Sequence, residues 1–180
     1  MDWNLSLFYL IYSLAFKYSW LDLLIVFFGE YYLYLLLAIL AAILCLAYVE
    51  RNKTGIKIII LAVVSGLVAR FVVGEAIRYL YPHARPFLAL HIPHLLTDYA
   101  SSFPSGHIIF IFALATTLFL YSRKLSYFFF FSGLLVGLAR IAGGVHYPAD
   151  ILGGIVLGIL IGLLFNFIWH TYGDKKRKYN

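Results

Sequence analysis

Three arginines, two histidines and one carboxylate stand at the edges of otherwise apolar stretches: Arg78, Arg85, His107, Arg140, His146 and Asp150. An unpaired charge in such surroundings is costly, so a chain that keeps six of them keeps them for chemistry. Arginine grips a phosphate through planar, bidentate hydrogen bonds, and histidine offers a nucleophile or an acid near neutral pH. The set reads as a phosphoryl-transfer site. Pro148 favours a helix start just after His146, and in a helical turn Asp150, four positions on, shares its face. The carboxylate can then hold one imidazole nitrogen and leave the other basic, a triad logic with histidine as the nucleophile. Ser105 and Gly106 precede His107 at the start of another apolar run, where the free N–H groups of a helix N-terminus make a phosphate cradle. Arg78, Arg85 and Arg140 would neutralise the phosphoryl oxygens as charge builds on them.

The spacing carries a resemblance. Arg78-x6-Arg85-Pro86, then Pro104-Ser105-Gly106-His107, then Arg140-x5-His146-x3-Asp150 resembles the tripartite signature of the type 2 phosphatidic acid phosphatase superfamily. Arg78 stands where that pattern usually has Lys, which keeps the charge, and Ala139 stands where it usually has Ser, which removes one hydroxyl. The resemblance implies a phosphohistidine intermediate on His146, with His107 protonating the leaving oxygen and then activating water. It makes His146, His107 and Asp150 the expected catalytic residues, and Arg78, Arg85, Ser105, Gly106 and Arg140 the expected phosphate ligands. No metal and no cofactor is expected. The segments Asn4 to Phe8, Pro82 to Phe87, Ser102 to Ser105 and Gly144 to Pro148 are similar to bacterial undecaprenyl-diphosphate phosphatases of that superfamily, many of which have Asp where this chain has Gly106. The implied reaction is hydrolysis of undecaprenyl diphosphate to undecaprenyl phosphate and phosphate. Phosphatidylglycerophosphate, phosphatidate and lipid A phosphatases of the same superfamily are the alternatives.

These residues must be positioned by membrane helices. The chain has 180 residues, of which 63% are hydrophobic and 12% charged, and its mean hydropathy of +0.91 excludes a soluble domain of this size. Apolar runs over 29–49, 56–80, 105–121, 125–142 and 149–169 each approach the roughly 20 residues that cross a bilayer. The expected fold is therefore an all-α, polytopic transmembrane bundle of five to six helices. Residues 1–28 form an interfacial or transmembrane segment, 29–170 the core bundle and 171–180 a basic cytoplasmic tail, within one membrane phosphatase domain. No basic n-region or small-residue cleavage site marks 4–28 as a signal peptide.

Nine of the fourteen basic residues fall in three clusters: Arg51, Lys53 and Lys57; Arg123 and Lys124; Lys175, Lys176, Arg177 and Lys178. Five crossings put all three on one side, which the positive-inside rule makes cytoplasmic. The 81–104 loop and the turn at 143–148 then face outward, with every motif residue. The net charge of +6 is thus topology and not a nucleic-acid surface. The expected location is a bacterial cytoplasmic (inner) membrane, with the lipid bilayer and a lipid phosphate as partners and the oligomeric state left open. A single cysteine, Cys45, lies within an apolar run and gives neither a disulfide framework nor a thiolate metal site.

Three further features bear on the site. Arg70 lies two turns below Arg78 and needs a partner, for which Glu75 and Glu30 are the carboxylates available; it is read as structural, and Glu75 as a residue that orients Arg78. Gly154, Gly158 and Gly162 form a small-residue stripe suited to close helix packing within the bundle. His83, His91, His94 and Asp98 form a conceivable ligand set, and with it a metal-binding membrane transporter is the alternative from another class.

Overall fold

Helices begin where side chains can close their free ends. The structure, a computed structural model, describes residues 2–173, so the basic tail expected at 171–180 lies almost wholly outside the described residues. Seven helices follow in order: α1 Trp3–Tyr12, α2 Ser19–Val49, α3 Lys53–Leu80, α4 Pro86–Ala89, α5 Gly106–Leu118, α6 Arg123–Ala142 and α7 Pro148–Thr171. The Asn52 side chain accepts the Gly55 N–H to start α3, and Ser122 accepts from Leu125 to start α6. At α7 Pro148 occupies the first turn while Asp150 reaches back to the Tyr147 N–H. No strand occurs among the described residues.

Four helices, α2, α3, α6 and α7, are long and apolar enough to cross a membrane. The fifth, α5, has 13 residues, about 20 Å of rise, and ends three residues before the expected limit of 121. It is the hub of the bundle. All of its residues except His107 are buried, with α3, α6 and α7 packed around it. The glycine stripe of α7 makes that approach possible: a Cβ at Gly158 would stand 2.8 Å from the Ile109 carbonyl, and one at Gly162 would stand 2.8 Å from that of Ala113. The stripe is spent on packing within the chain. Polar crosslinks also tie α5 to its neighbours, since Ser65 Oγ lies 2.9 Å from Thr117 Oγ1 and Ser126 Oγ donates to the Ala115 carbonyl at 2.7 Å. The outer face is the apolar one: Leu23, Tyr34, Leu46, Leu152 and Phe167 are exposed, as a hydrocarbon solvent requires.

Residues 4–28 do not make a separate sixth crossing. With ten residues α1 is about 15 Å long, half the hydrocarbon thickness. It lies against the end of the bundle that carries the motif residues, where Asn4 Oδ1 accepts the Ala149 N–H at 2.9 Å and Tyr12 donates to the Pro93 carbonyl at 2.7 Å. The first crossing starts at Ser19, so the division expected at residues 28 and 29 falls inside α2. Asp22 closes the turn between α1 and α2, its Oδ1 accepting the Phe16 N–H at 2.8 Å.

Three of the long helices contain a wide π turn among the described residues, over Phe27–Tyr31 in α2, over Ala69–Gly74 in α3 and over Trp169–Gly173 at the end of α7. Such turns are frequent at functional sites because they accommodate an extra residue and release a carbonyl from the helical ladder.

Candidate active site

The motif residues come from six places in the fold and meet at one end of the bundle. Arg78 lies in the last turn of α3, and Arg85 precedes Pro86 as the cap of α4. Ser105 caps α5, which opens on Gly106 and His107, while Arg140 ends α6 and Asp150 lies in the first turn of α7. His146 sits in the tight turn between α6 and α7, where Gly144 takes a positive φ of 83°. The described basic clusters, around Arg51 to Lys57 and at Arg123 and Lys124, lie at the opposite helix ends.

His146 is held between a carboxylate and a guanidinium. Its Nδ1 lies 3.4 Å from Asp150 Oδ2, and its Nε2 lies 3.2 Å from Arg85 Nη1. Those two neighbours assign the tautomer: a proton on Nδ1 facing the carboxylate, and a lone pair on Nε2 accepting from Arg85. His146 is 1% exposed. Burial, reinforced by the positive charges of Arg140 and Arg85, holds its imidazole well below the usual histidine range. The ring is therefore neutral and basic at Nε2 at neutral pH, the state a nucleophile needs. Asp150 is fixed in turn by the Tyr147 N–H at 2.7 Å and by a short hydrogen bond from Ser102 Oγ. It caps α7 and orients His146 with the same oxygen.

The arginines fall into two groups. Arg85 donates to the carbonyls of Ala100 at 2.7 Å and Val145 at 3.0 Å, which pins the 98–101 loop to the histidine turn. Arg140 donates to the Gly29 carbonyl at 2.8 Å beside the π turn of α2 and stands 4.0 Å from Glu30. Both guanidiniums converge on one carboxylate: Asp98 Oδ2 is 2.7 Å from Arg85 and 3.3 Å from Arg140. One carboxylate oxygen is thus shared by the two arginines nearest His146. Arg78 forms the second group with Arg70. It pairs with Glu75 at 2.6 Å, as expected, and donates to the Pro104 carbonyl at 2.9 Å.

Arg70 takes neither of its expected carboxylate partners. Among the described residues it pairs with neither Glu75 nor Glu30, because Glu75 is held by Arg78 and Glu30 faces Arg140. Its guanidinium instead reaches Gly106, where a Cβ would overlap Arg70 Nη1 and stand 2.6 Å from Arg78 Nη2. His107 is part-buried on the first turn of α5, within the fields of Arg140, Arg70, His146 and Arg85. Three polar atoms of the site are buried with no hydrogen-bond partner, namely Arg78 Nε, Ser105 Oγ and Arg140 Nε. All three can donate, which suits an anion.

The candidate metal ligands do not assemble. Among the described residues no three His, Cys, Asp or Glu side chains come close enough to share a metal ion. Three of the four have other partners: His94 packs on Phe87 at 4.3 Å, His83 lies between Tyr81 and Tyr147, and Asp98 is taken by the two arginines. Asp98, Ser102 and Arg70 belong to the site and were not assigned to it from sequence. Asp98 and Ser102 lie in a loop without periodicity, where no pattern marks which polar side chain turns inward.

Known proteins resemble this chain in sequence and in fold. Residues 58–176 match the family model described as the PAP2 superfamily. Undecaprenyl-diphosphatase BcrC of Bacillus subtilis (strain 168) is 35% identical over 90% of this chain and 82% of its own length. The bacitracin transport permease protein BcrC of Bacillus licheniformis is 32% identical over 89% of this chain and 77% of its own. Among solved structures, LpxE of Aquifex aeolicus superposes with a TM-score of 0.70 at 28% identity, covering 92% of this chain and 95% of that one.

Proposed function

The chain belongs to the PAP2 superfamily and is a membrane phosphatase acting on lipid phosphates, and from that premise we propose that its substrate is undecaprenyl diphosphate. The observation that carries the reading is the pairing of a buried, neutral His146 with Arg85 on one nitrogen and Asp150 on the other, in a chain 35% identical to a protein named undecaprenyl-diphosphatase.

The reaction follows from the side chains in place. A terminal phosphate displaces Asp98 from Arg85 and Arg140, and Arg85 Nη1 turns from His146 Nε2 to a phosphoryl oxygen, freeing the nitrogen lone pair. Nε2 attacks phosphorus; the N–P bond forms as the P–O bond to the lipid monophosphate breaks. His107 gives its proton to the departing oxygen, and Asp150 stabilises the positive ring. Water then attacks the phosphohistidine, loses a proton to His107 and releases inorganic phosphate, which restores both histidines. The arginines hold the equatorial oxygens through both steps.

The same reading places the active site at the outer face of a cytoplasmic membrane, supported by the basic clusters at the opposite helix ends. The transport reading, attached by name to the Bacillus licheniformis relative, has no use for a nucleophile and its orienting carboxylate. The purified protein, assayed in one detergent against undecaprenyl diphosphate, phosphatidylglycerophosphate, phosphatidate and lipid A, should show its highest kcat/KM on the diphosphate. It should also rescue cells depleted of their own undecaprenyl-diphosphate phosphatases. A preference for a glycerophospholipid or lipid A, without rescue, assigns another substrate to the same chemistry.

A further inference from the structure

The turn that joins α2 to α3, at the end of the bundle away from the motif residues, combines an apolar hollow with unpaired positive charge. The hollow has a volume of about 380 Å³ and is lined by Leu44, Cys45, Tyr48 and Val49 of α2 and by Ile56 and Ile60 of α3. Leu44 and Ile56 form its floor, half-buried against the core, and the other four stand exposed at its rim. An opening of this kind on a surface that faces hydrocarbon is filled by something apolar. The charge stands on the same face. At about 100° per residue, Lys53, Ile56, Lys57 and Ile60 fall within an arc of about 100° on α3, so the two lysines share a face with that wall of the hollow. Arg51 completes the group from the turn itself, where it takes a positive φ of 54°. The Asn52 N–H bonds to the Ala47 carbonyl and the Arg51 N–H to that of Tyr48, a helix ending in which this position is usually glycine. The chain thus holds a guanidinium where glycine would be unstrained. None of Arg51, Lys53 and Lys57 has a carboxylate partner among the described residues, and the neighbouring Glu50 pairs with none of them. Long basic side chains lay their stems along apolar surface and send their heads to the aqueous boundary, which sets these charges at headgroup depth beside the hollow.

We propose that this turn binds an anionic phospholipid of the surrounding bilayer, with one acyl chain lying in the hollow and the phosphate held by Arg51, Lys53 and Lys57. The two halves of the site match the two halves of such a molecule. A zwitterionic lipid offers the same chain but carries its own cation on the headgroup, so it gains less from three basic groups. A soluble anion meets the charges and leaves the hollow unfilled. The basic residues here are therefore a ligand set as well as a topology signal. The site lies at the opposite helix ends from His146, and the inference depends on neither the substrate nor the orientation of the chain in the membrane.

Cys45 is the single cysteine of the chain and lines the hollow, so its alkylation by N-ethylmaleimide reports occupancy without any engineered label. The test is the rate of that alkylation in detergent micelles as phosphatidylglycerol, or phosphatidylcholine with the same acyl chains, is added. Phosphatidylglycerol should give half-protection at a mole fraction about ten- to a hundredfold lower than phosphatidylcholine, and raising the salt concentration should narrow the gap. Each charge removed should lower the preference by about two- to fivefold, so Arg51→Gln/Lys53→Gln/Lys57→Gln should abolish it while phosphatase activity at the far end stays like the parent's. If the triple variant does not insert, Lys53→Gln/Lys57→Gln carries the same comparison, with an expected fall of about four- to twenty-fivefold. No protection by either lipid, equal protection by the two, or a preference that survives loss of the charges overturns the proposal.

Discussion

Replacing Asp98 by Asn should tighten phosphate binding, although it removes an ion pair from the active site. Asp98 Oδ2 is 2.7 Å from Arg85 and 3.3 Å from Arg140, and both guanidiniums are almost wholly buried. A phosphoryl group has to displace this carboxylate before it can reach His146. Hydrogen bonds between charged groups contribute about 1.5–3 kcal/mol net when buried. The Asp98 side chain is 33% exposed, so water recovers part of that on displacement, leaving a competition cost of about 1–2 kcal/mol. At about 1.4 kcal/mol per tenfold, Asp98→Asn should lower the inhibition constant for inorganic phosphate by roughly 5- to 30-fold. The KM for the lipid substrate should fall in the same direction. Without phosphate the variant should also melt earlier, because Arg85 and Arg140 then lack the carboxylate they share and only Glu30, 4.0 Å from Arg140, remains beside them, and added phosphate should restore more stability than it does in the parent. The assay is steady-state hydrolysis in detergent with phosphate as product inhibitor, beside thermal unfolding with and without phosphate. A raised inhibition constant and a raised KM would refute the reasoning and make Asp98 a support that orients the arginines.

Two further outcomes follow from the geometry. Because burial and the neighbouring arginines hold His146 well below the usual histidine range, phosphoenzyme formation measured in a single turnover should persist well below about pH 6.5, where an ordinary imidazole is already protonated; an acid limb at that pH would count against a neutral, buried nucleophile. The linked stability has a definite sign: the unfolded imidazole takes up a proton near pH 6.5 and the folded one does not, so the contribution is present above that pH and is lost as the pH falls below it, and His146→Gln should flatten this part of a melting-temperature profile. Gly158→Val would drive a side chain into the Ile109 carbonyl and Phe112, with Cβ at 2.8 Å from each, and should cost about 1–3 kcal/mol or prevent folding in detergent; a parent-like melting temperature would show that α5 and α7 are not packed this closely.

Much of this was legible in the sequence for physical reasons. Apolar runs of bilayer length and the side on which Arg51 to Lys57, Arg123 and Lys124 cluster together require Arg78, Arg85, His107, Arg140, His146 and Asp150 to meet at one end. The i, i+4 spacing of His146 and Asp150 foretold their contact, although His146 lies in the turn before α7 and not in a helical turn shared with Asp150. The rest depended on features that spacing does not encode. In a regular α-helix Arg70 would lie about 80° around the axis from Arg78; the π turn over Ala69–Gly74 takes up part of that angle and brings both to Gly106. The π turn in α2 likewise places the Gly29 carbonyl and Glu30 on Arg140, partners that no helical periodicity connects. Asp98 reaches the arginines from a loop in which His91 adopts a positive φ of 51°, and such a path has no period to read. The carboxylate of Asp98, which the sequence offered as a metal ligand, is held by Arg85 and Arg140.

The central claim is that His146 carries the phosphoryl group. The direct measurement is trapping of the enzyme by an acid-free quench during turnover of a lipid diphosphate labelled in its terminal phosphate, followed by mapping of the labelled peptide. The account predicts an acid-labile, base-stable phosphoryl group on His146, formed before free phosphate appears and absent from a folded His146→Ala protein that no longer turns over. Turnover by His146→Ala within a few-fold of the parent, or a phosphoryl group on any other residue, would contradict it.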